Sequence, residues 1–149
     1  MNDKPLQKGV DFTGVTVCMF CYDGAGSVCM NKRSTNCRDE HGRWDICGGS
    51  VDFGDTVENT IQKELSEEYN AKPLEVEFLG FRDVHRTDEQ GNQTHWIGLD
   101  FKVRIDPASV RNGEPHKFDN IRWFPIHNLP SPLHSQLPNF LARYKDRLH

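Results

Sequence analysis

Apolar positions along the chain form short runs separated by glycine, asparagine and aspartate, and the period of those runs alternates between strand and helix. Gly14–Tyr22 and Ser27–Arg33 are apolar-rich and divided by Asp23-Gly-Ala-Gly26, a hairpin turn between two strands. A polar loop over 34–42 feeds a short strand at 43–47, and 48–54 is rich in glycine. The period then becomes helical: Val57, Ile61 and Leu65 make one stripe, predicting a helix over 56–69. Asp55-Thr-Val-Glu58 gives it a capping-box-like start with Asp55 or Thr56 as the cap, and Asn70 stands where a left-handed terminal residue belongs. Alternation returns in strands at 74–85 and 95–105, flanking a polar tip at 87–93. A loop at 107–117 and a strand at 121–126 precede an amphipathic helix at 139–148. Strands with two helices in this order predict an α+β layered fold with a mixed sheet. With no repeat or linker, residues 1–149 read as one domain with a loosely held lead-in over 1–12.

The 56–69 helix carries the chemistry. Glu64, Glu67 and Glu68 are spaced i, i+3, i+4 and project from one face within a single turn. The apolar stripe lies beside that face, so the carboxylates fall at the edge of the buried region. Like charges at this spacing destabilise a helix, and a divalent cation would relieve them. Oxygen-only ligands suit Mg²⁺ or Mn²⁺. Gly48 and Gly49 allow close backbone approach just before the helix.

This segment resembles the Nudix box, Gly-x5-Glu-x7-Arg-Glu-U-x-Glu-Glu-x-Gly-U, with U aliphatic. Gly49 takes the first glycine, Glu64 and Leu65 the Glu-U pair, and Glu67 and Glu68 the paired glutamates. Four positions depart: Asp55 for glutamate, Lys63 for arginine, Asn70 for glycine and Ala71 for the last aliphatic residue. Lysine lacks the planar fork of arginine, and Asp55 and Lys63 are read as a pair changed together to keep one ion pair. The resemblance implies a Nudix-type α/β/α sandwich, with its central mixed sheet flanked by helices. It further implies Glu64, Glu67 and Glu68 as metal ligands, with Glu64 a ligand or the base. Glu114, in Asn112-Gly-Glu-Pro-His-Lys117, is the candidate fourth carboxylate, and Glu67, Glu64 and Glu114 are the candidate catalytic residues. The stretch Asn-x-Glu-Pro-x-Lys, with Trp123 and Leu129-Pro130 after it, is similar to the tail of MutT-like members that act on nucleoside triphosphates. By the same resemblance His134 and Ser135 meet the base. Gly48, Gly49 and Arg33 are further candidates for substrate contact, and a solvated charge is the other reading of Arg33.

Three functions follow. The first is Mg²⁺- or Mn²⁺-dependent hydrolysis of a (deoxy)nucleoside triphosphate to the monophosphate and pyrophosphate. The second keeps the chemistry on a nucleotide sugar or ADP-ribose, disfavoured by the short lead-in. The third is a nucleotide-sensing domain without turnover, disfavoured by the retained glutamates.

Bulk properties narrow the partners. A formal charge of −4 argues against duplex nucleic acid, leaving a small nucleotide as the partner of a monomer or homodimer. No apolar stretch approaches the roughly 20 residues of a membrane span. Without a signal-like start, the cytoplasm is the expected compartment. Cys18-x-x-Cys21 lies within a strand, where odd spacing sends the thiols to opposite faces, so the five cysteines read as buried thiols. Trp123 and Phe124 read as core, with a stacking surface for the base as the other reading. His85, His95, His116 and His127 show no ligand spacing and are assigned no metal.

Overall fold

A computed structural model describes residues 3–149; Met1 and Asn2, the start of the expected lead-in, lie outside the described residues. The strands are β1 (Gly14–Tyr22), β2 (Ser27–Arg33), β3 (Trp44–Asp45), β4 (Cys47–Ser50), β5 (Glu75–Thr87), β6 (Gln93–Arg104) and β7 (Phe118–Pro125). The helices are α1 (Val57–Tyr69) and α2 (Leu137–Arg143). β1 is central. One edge runs parallel to β6 from Gly14↔Trp96 to Tyr22↔Arg104, and the other pairs antiparallel first with β4 and then with β2. β5 flanks β6, and β7 flanks β2, both antiparallel. The sheet is therefore mixed, as expected.

Alternation along β1 assigns the layers. Val17, Met19 and Cys21 face one core with Ile61, Leu65 and Tyr69 of α1. Phe20 faces the other with Leu137, Phe140 and Tyr144 around α2. A strand covered on both faces must be apolar on both, which is why β1 reads as one continuous run. Cys18 and Cys21 diverge as expected, and all five thiols are free.

Several boundaries differ from expectation. The single strand at 43–47 breaks into β3 and β4 at Ile46, whose N–H is taken by Asp45 Oδ1 (2.8 Å) and not by a neighbouring strand. β4 then continues into the glycine segment. β7 starts at Phe118, earlier than the apolar pattern suggests, because β2 pairs with it along its length. α2 begins at Leu137, with Pro138 in its first turn where a missing N–H is harmless, and stops before Tyr144. Leu148 still reaches the core, through a turn closed by Arg147 N–H to Tyr144 O.

The lead-in makes specific contacts over residues 7–12. The His95 N–H donates to Gly9 O (2.8 Å). Gly9 lies against Trp96 so closely that a β-carbon would meet Nε1 at 2.2 Å. No helix among the described residues is long and apolar enough to cross a membrane.

Candidate active site

α1 is held at both ends by the residues its sequence supplies. Thr56 is the cap, its Oγ1 accepting from Asn59 N–H (3.0 Å), while Asp55 Oδ1 accepts from Thr56 N–H. Asn70 takes the left-handed conformation at φ 55°. Ile61 and Leu65 anchor the helix to the core, which fixes the rotation that presents the three glutamates.

The glutamates meet three different environments. Glu68 is 3% exposed, and its Oε1 accepts from Gly48 N–H (3.1 Å) and the Cys47 thiol (3.2 Å). Burial raises its pKa to about 8, against the opposing pull of those two bonds and of Lys117. Glu64 is half-buried over Gly49, and burial together with the Glu67 and Glu114 charges raises it to about 7. Glu67 is exposed.

Two glycines set these positions by close approach. A β-carbon on Gly49 would fall 2.3 Å from Glu64 Cδ, and one on Gly48 would fall 2.4 Å from Val17 O. A third glycine, Gly113, was not singled out in the sequence. Its N–H donates to Glu68 O (3.0 Å), and a β-carbon there would meet Glu67 O at 2.0 Å. This contact docks the 112–118 loop on α1 and delivers Glu114. Asn112 shapes the loop, accepting from Glu114 N–H and donating to Phe118 O. A cavity of about 630 Å³ opens there, lined by Glu67, Arg111, Gly113 and Glu114 among others. Lys117 Nζ lies 3.9 Å from Glu114 Oε2, and its charge also reaches Glu64 and Glu68. Arg111, adjacent to the Asn-x-Glu-Pro-x-Lys stretch, is a cation that sequence reasoning missed, and Lys117, the last residue of that stretch, was given no role of its own.

The donor set fits a hard divalent cation. It offers carboxylate oxygens without imidazole, and its one thiol, Cys47, is held protonated by burial well above the ordinary thiol pKa. The carboxylates whose ionisation is most penalised, Glu64 and Glu68, are those a cation would relieve.

Arg33, His134 and Ser135 are gathered elsewhere. The Arg33 guanidinium is spent on the 34–42 loop, donating to Asp39 O and Oδ1 (both 3.0 Å) and facing Asp45 at 3.9 Å. Glu40, in that loop at φ 55°, accepts from Ser135 N–H and lies 4.0 Å from His134 Nδ1. Arg86 of β5 bridges Asp39 (3.6 Å) and Glu40 (3.3 Å). Burial pushes the Glu40 carboxyl up, but the Ser135 N–H and the neighbouring cations outweigh it and hold the group below its ordinary value. The result is one polar cluster joining β2, β5 and the segment before α2, with Glu40 and Arg86 as members the sequence did not suggest.

The expected Asp55–Lys63 pair is not made. Lys63 faces Asp52 at 3.6 Å, on an exposed surface that Asp52 shares with Lys8. The histidine reading is also corrected: His85 and His95 are direct cross-strand partners with rings stacked at 4.2 Å. The turn at 87–93 is symmetric about Gln90, so the pairing was legible from hairpin register.

The NUDIX domain family model matches residues 12–144. A curated relative, Nudix hydrolase 3 of Caenorhabditis elegans, is 30% identical over 101 residues, covering 67% of this chain and 42% of that protein. The chain thus spans less than half of that relative. Among solved structures, the MutT NUDIX hydrolase of Burkholderia pseudomallei superposes with TM-score 0.75 at 24% identity, over 89% of this chain and 98% of that one. The NUDIX domain of Shewanella oneidensis NrtR, solved with ADP ribose, gives TM-score 0.71 at 18% identity over 100% and 94%. These likenesses fix the fold, and the family match over nine tenths of the chain makes this protein a member of the Nudix family.

Proposed function

We propose that this protein hydrolyses the phosphoanhydride bond of a nucleoside diphosphate derivative, foremost a (deoxy)nucleoside triphosphate to its monophosphate and pyrophosphate. The observation that carries the reading is shared electrostatics: Glu64 lies over Gly49, Glu68 accepts from Gly48 N–H, Glu67 lines a cavity with Glu114 of a distant loop, and the charges of Glu67, Glu114 and Lys117 all reach Glu64. Glu67, Glu68, Glu64 and Glu114 would hold Mg²⁺ or Mn²⁺. Such an ion, when bound, supplies charge neutralisation for the diphosphate and a more acidic water. The chain's own groups do the rest. Glu64 is a metal ligand or the base that takes a proton from the attacking water, and in the metal-free chain burial already raises its carboxyl to about 7. Lys117 and Arg111 offer positive charge for the phosphate oxygens, where electrostatic stabilisation dominates phosphoryl transfer. Gly48 and Gly49 keep the strand surface free of side chains beside the reacting groups. We assign the Glu40–Arg86–His134–Ser135 cluster to the nucleoside end.

A nucleotide joined to a sugar or ribose is the second reading, favoured by the ADP ribose bound in the Shewanella domain. The test is a substrate panel of nucleoside triphosphates, dinucleotides and nucleotide sugars with Mg²⁺ or Mn²⁺, alongside Glu67→Gln. Release of pyrophosphate, lost in the variant, supports the first reading, whereas two monophosphates from a nucleotide sugar support the second. Nucleotide binding without turnover on any compound would overturn both in favour of a sensing domain.

A further inference from the structure

We propose that Asp83, His85 and His95 form a second metal site on the β5–β6 hairpin, suited to a zinc-type transition cation. It is independent of the hydrolase reading. The antiparallel register sets His85 opposite His95, and Asp83, two residues earlier on β5, shares their face. The two imidazoles stack at 4.2 Å with 21° between planes. His95 Nε2 is 3.1 Å from Asp83 Oδ1. One ligand atom from each of the three lies within 4.8 Å of the others, the only such group of histidine, cysteine or carboxylate residues among the described residues.

Tetrahedral zinc, with bonds of about 2.0–2.2 Å, places its ligand atoms roughly 3.3 Å apart. The His95–Asp83 pair already has that spacing. Asp83 and His85 are exposed, so a side-chain rotation closes the third side without repacking. Thr13 Oγ1 lies 3.1 Å from His95 Nδ1. A ligating histidine characteristically engages a second group with its other ring nitrogen, which fixes the tautomer. In the metal-free protein Nε2–H donates to the Asp83 carboxylate and Nδ1 accepts from the Thr13 hydroxyl; a metal at Nε2 requires the other tautomer, with Nδ1–H donating to Thr13 Oγ1. A cation held by Nε2 and the Asp83 carboxylate replaces that hydrogen bond, the ring proton moving by way of solvent from Nε2 to Nδ1 so that the imidazole stays neutral. A cavity of about 240 Å³ beside the trio, walled by the 9–13 lead-in, leaves a fourth position open to water. Two imidazoles and one carboxylate select zinc, copper or nickel over magnesium, the reverse of the all-carboxylate set on α1.

The test is calorimetric titration of the full chain with Zn²⁺ in saturating Mg²⁺, with Co²⁺ absorption reporting a tetrahedral site. One Zn²⁺ per chain is expected, retained in Glu67→Gln. His85→Ala and Asp83→Asn should each weaken it by at least about 10–100-fold, the loss that disturbing even an outer-shell partner brings, and Thr13→Val by about tenfold. Because these side chains are at the surface, the variants keep the fold, which circular dichroism verifies. Unchanged Zn²⁺ affinity in both His85→Ala and Asp83→Asn, or no Zn²⁺ binding beyond what Glu67→Gln removes, would overturn the proposal.

Discussion

At Gly49 a single methyl group decides where a carboxylate stands. With 2.3 Å between its virtual β-carbon and Glu64 Cδ, Gly49→Ala must push the glutamate off the strand surface, since the strand behind is paired to β1. A displacement of about 1 Å at a reacting group costs on the order of 10²-fold in rate. The expected outcome is a fall in kcat of that size with the circular dichroism spectrum unchanged. Lys63 is the contrasting case. Its exposed contact with Asp52 contributes little, as surface ion pairs do. Lys63→Arg should leave the unfolding free energy within about 0.5 kcal/mol, and a chemical denaturation curve checks it. In the proposed metal site, Glu64 and Glu68 would also make metal a stability partner, because both are penalised as free carboxylates. Mg²⁺ at about 100 times its Kd should add roughly 2.7 kcal/mol to the folded state, measured as a rise in Tm that shrinks in Glu67→Gln.

Elements separate stability from chemistry along α1. Thr56→Ala removes a cap at the end of the helix remote from Glu67 and should cost about 1 kcal/mol, with kcat unchanged. Gly113→Ala should do the opposite, lifting the 112–118 loop off the helix backbone and carrying Glu114 with it, so kcat falls more than stability. These two sites also mark the limit of sequence reading. Thr56, Asn70 and the glutamate spacing were legible because helix signals act over one or two turns. Gly113 was not, because its meaning lies in a contact with Glu67, more than forty residues away. The same holds for Glu40, whose partners Arg86 and Ser135 arrive from separate elements, and for Ser34, whose hydroxyl donates to His116 O across 82 residues. Arg33 was read as a phosphate contact or a solvated charge, and its bonds to Asp39 were out of reach because strand position says where a side chain starts, not which loop folds back over it.

Across the whole molecule, the two helix layers divide the work. The carboxylates belong to the α1 face, while the α2 face is closed by a buried ionic node. Asp100 is fully buried in β6 and accepts from Arg82 Nε (2.6 Å), Arg82 Nη2 (2.9 Å) and the Tyr144 hydroxyl (2.6 Å). Tyr144 ends α2, so the node ties that helix to the sheet, and the carboxylate beside it raises the Tyr144 pKa further after burial, to about 12. Asp100→Asn would leave a nearly buried guanidinium without its counter-charge, a loss of about 3–5 kcal/mol. Tyr144→Phe removes one hydrogen bond to a charged group, about 1.5–3 kcal/mol. At roughly 2–4 °C per kcal/mol for a chain of this size, Tm should fall by about 10 °C in the first variant and about half that in the second. Because β1 and its parallel partner β6 stand between the node and α1, turnover at 25 °C in the remaining folded protein should match the wild type. A kcat that fell with Tm in both variants would show instead that the α2 layer sets the geometry of the glutamates through the sheet.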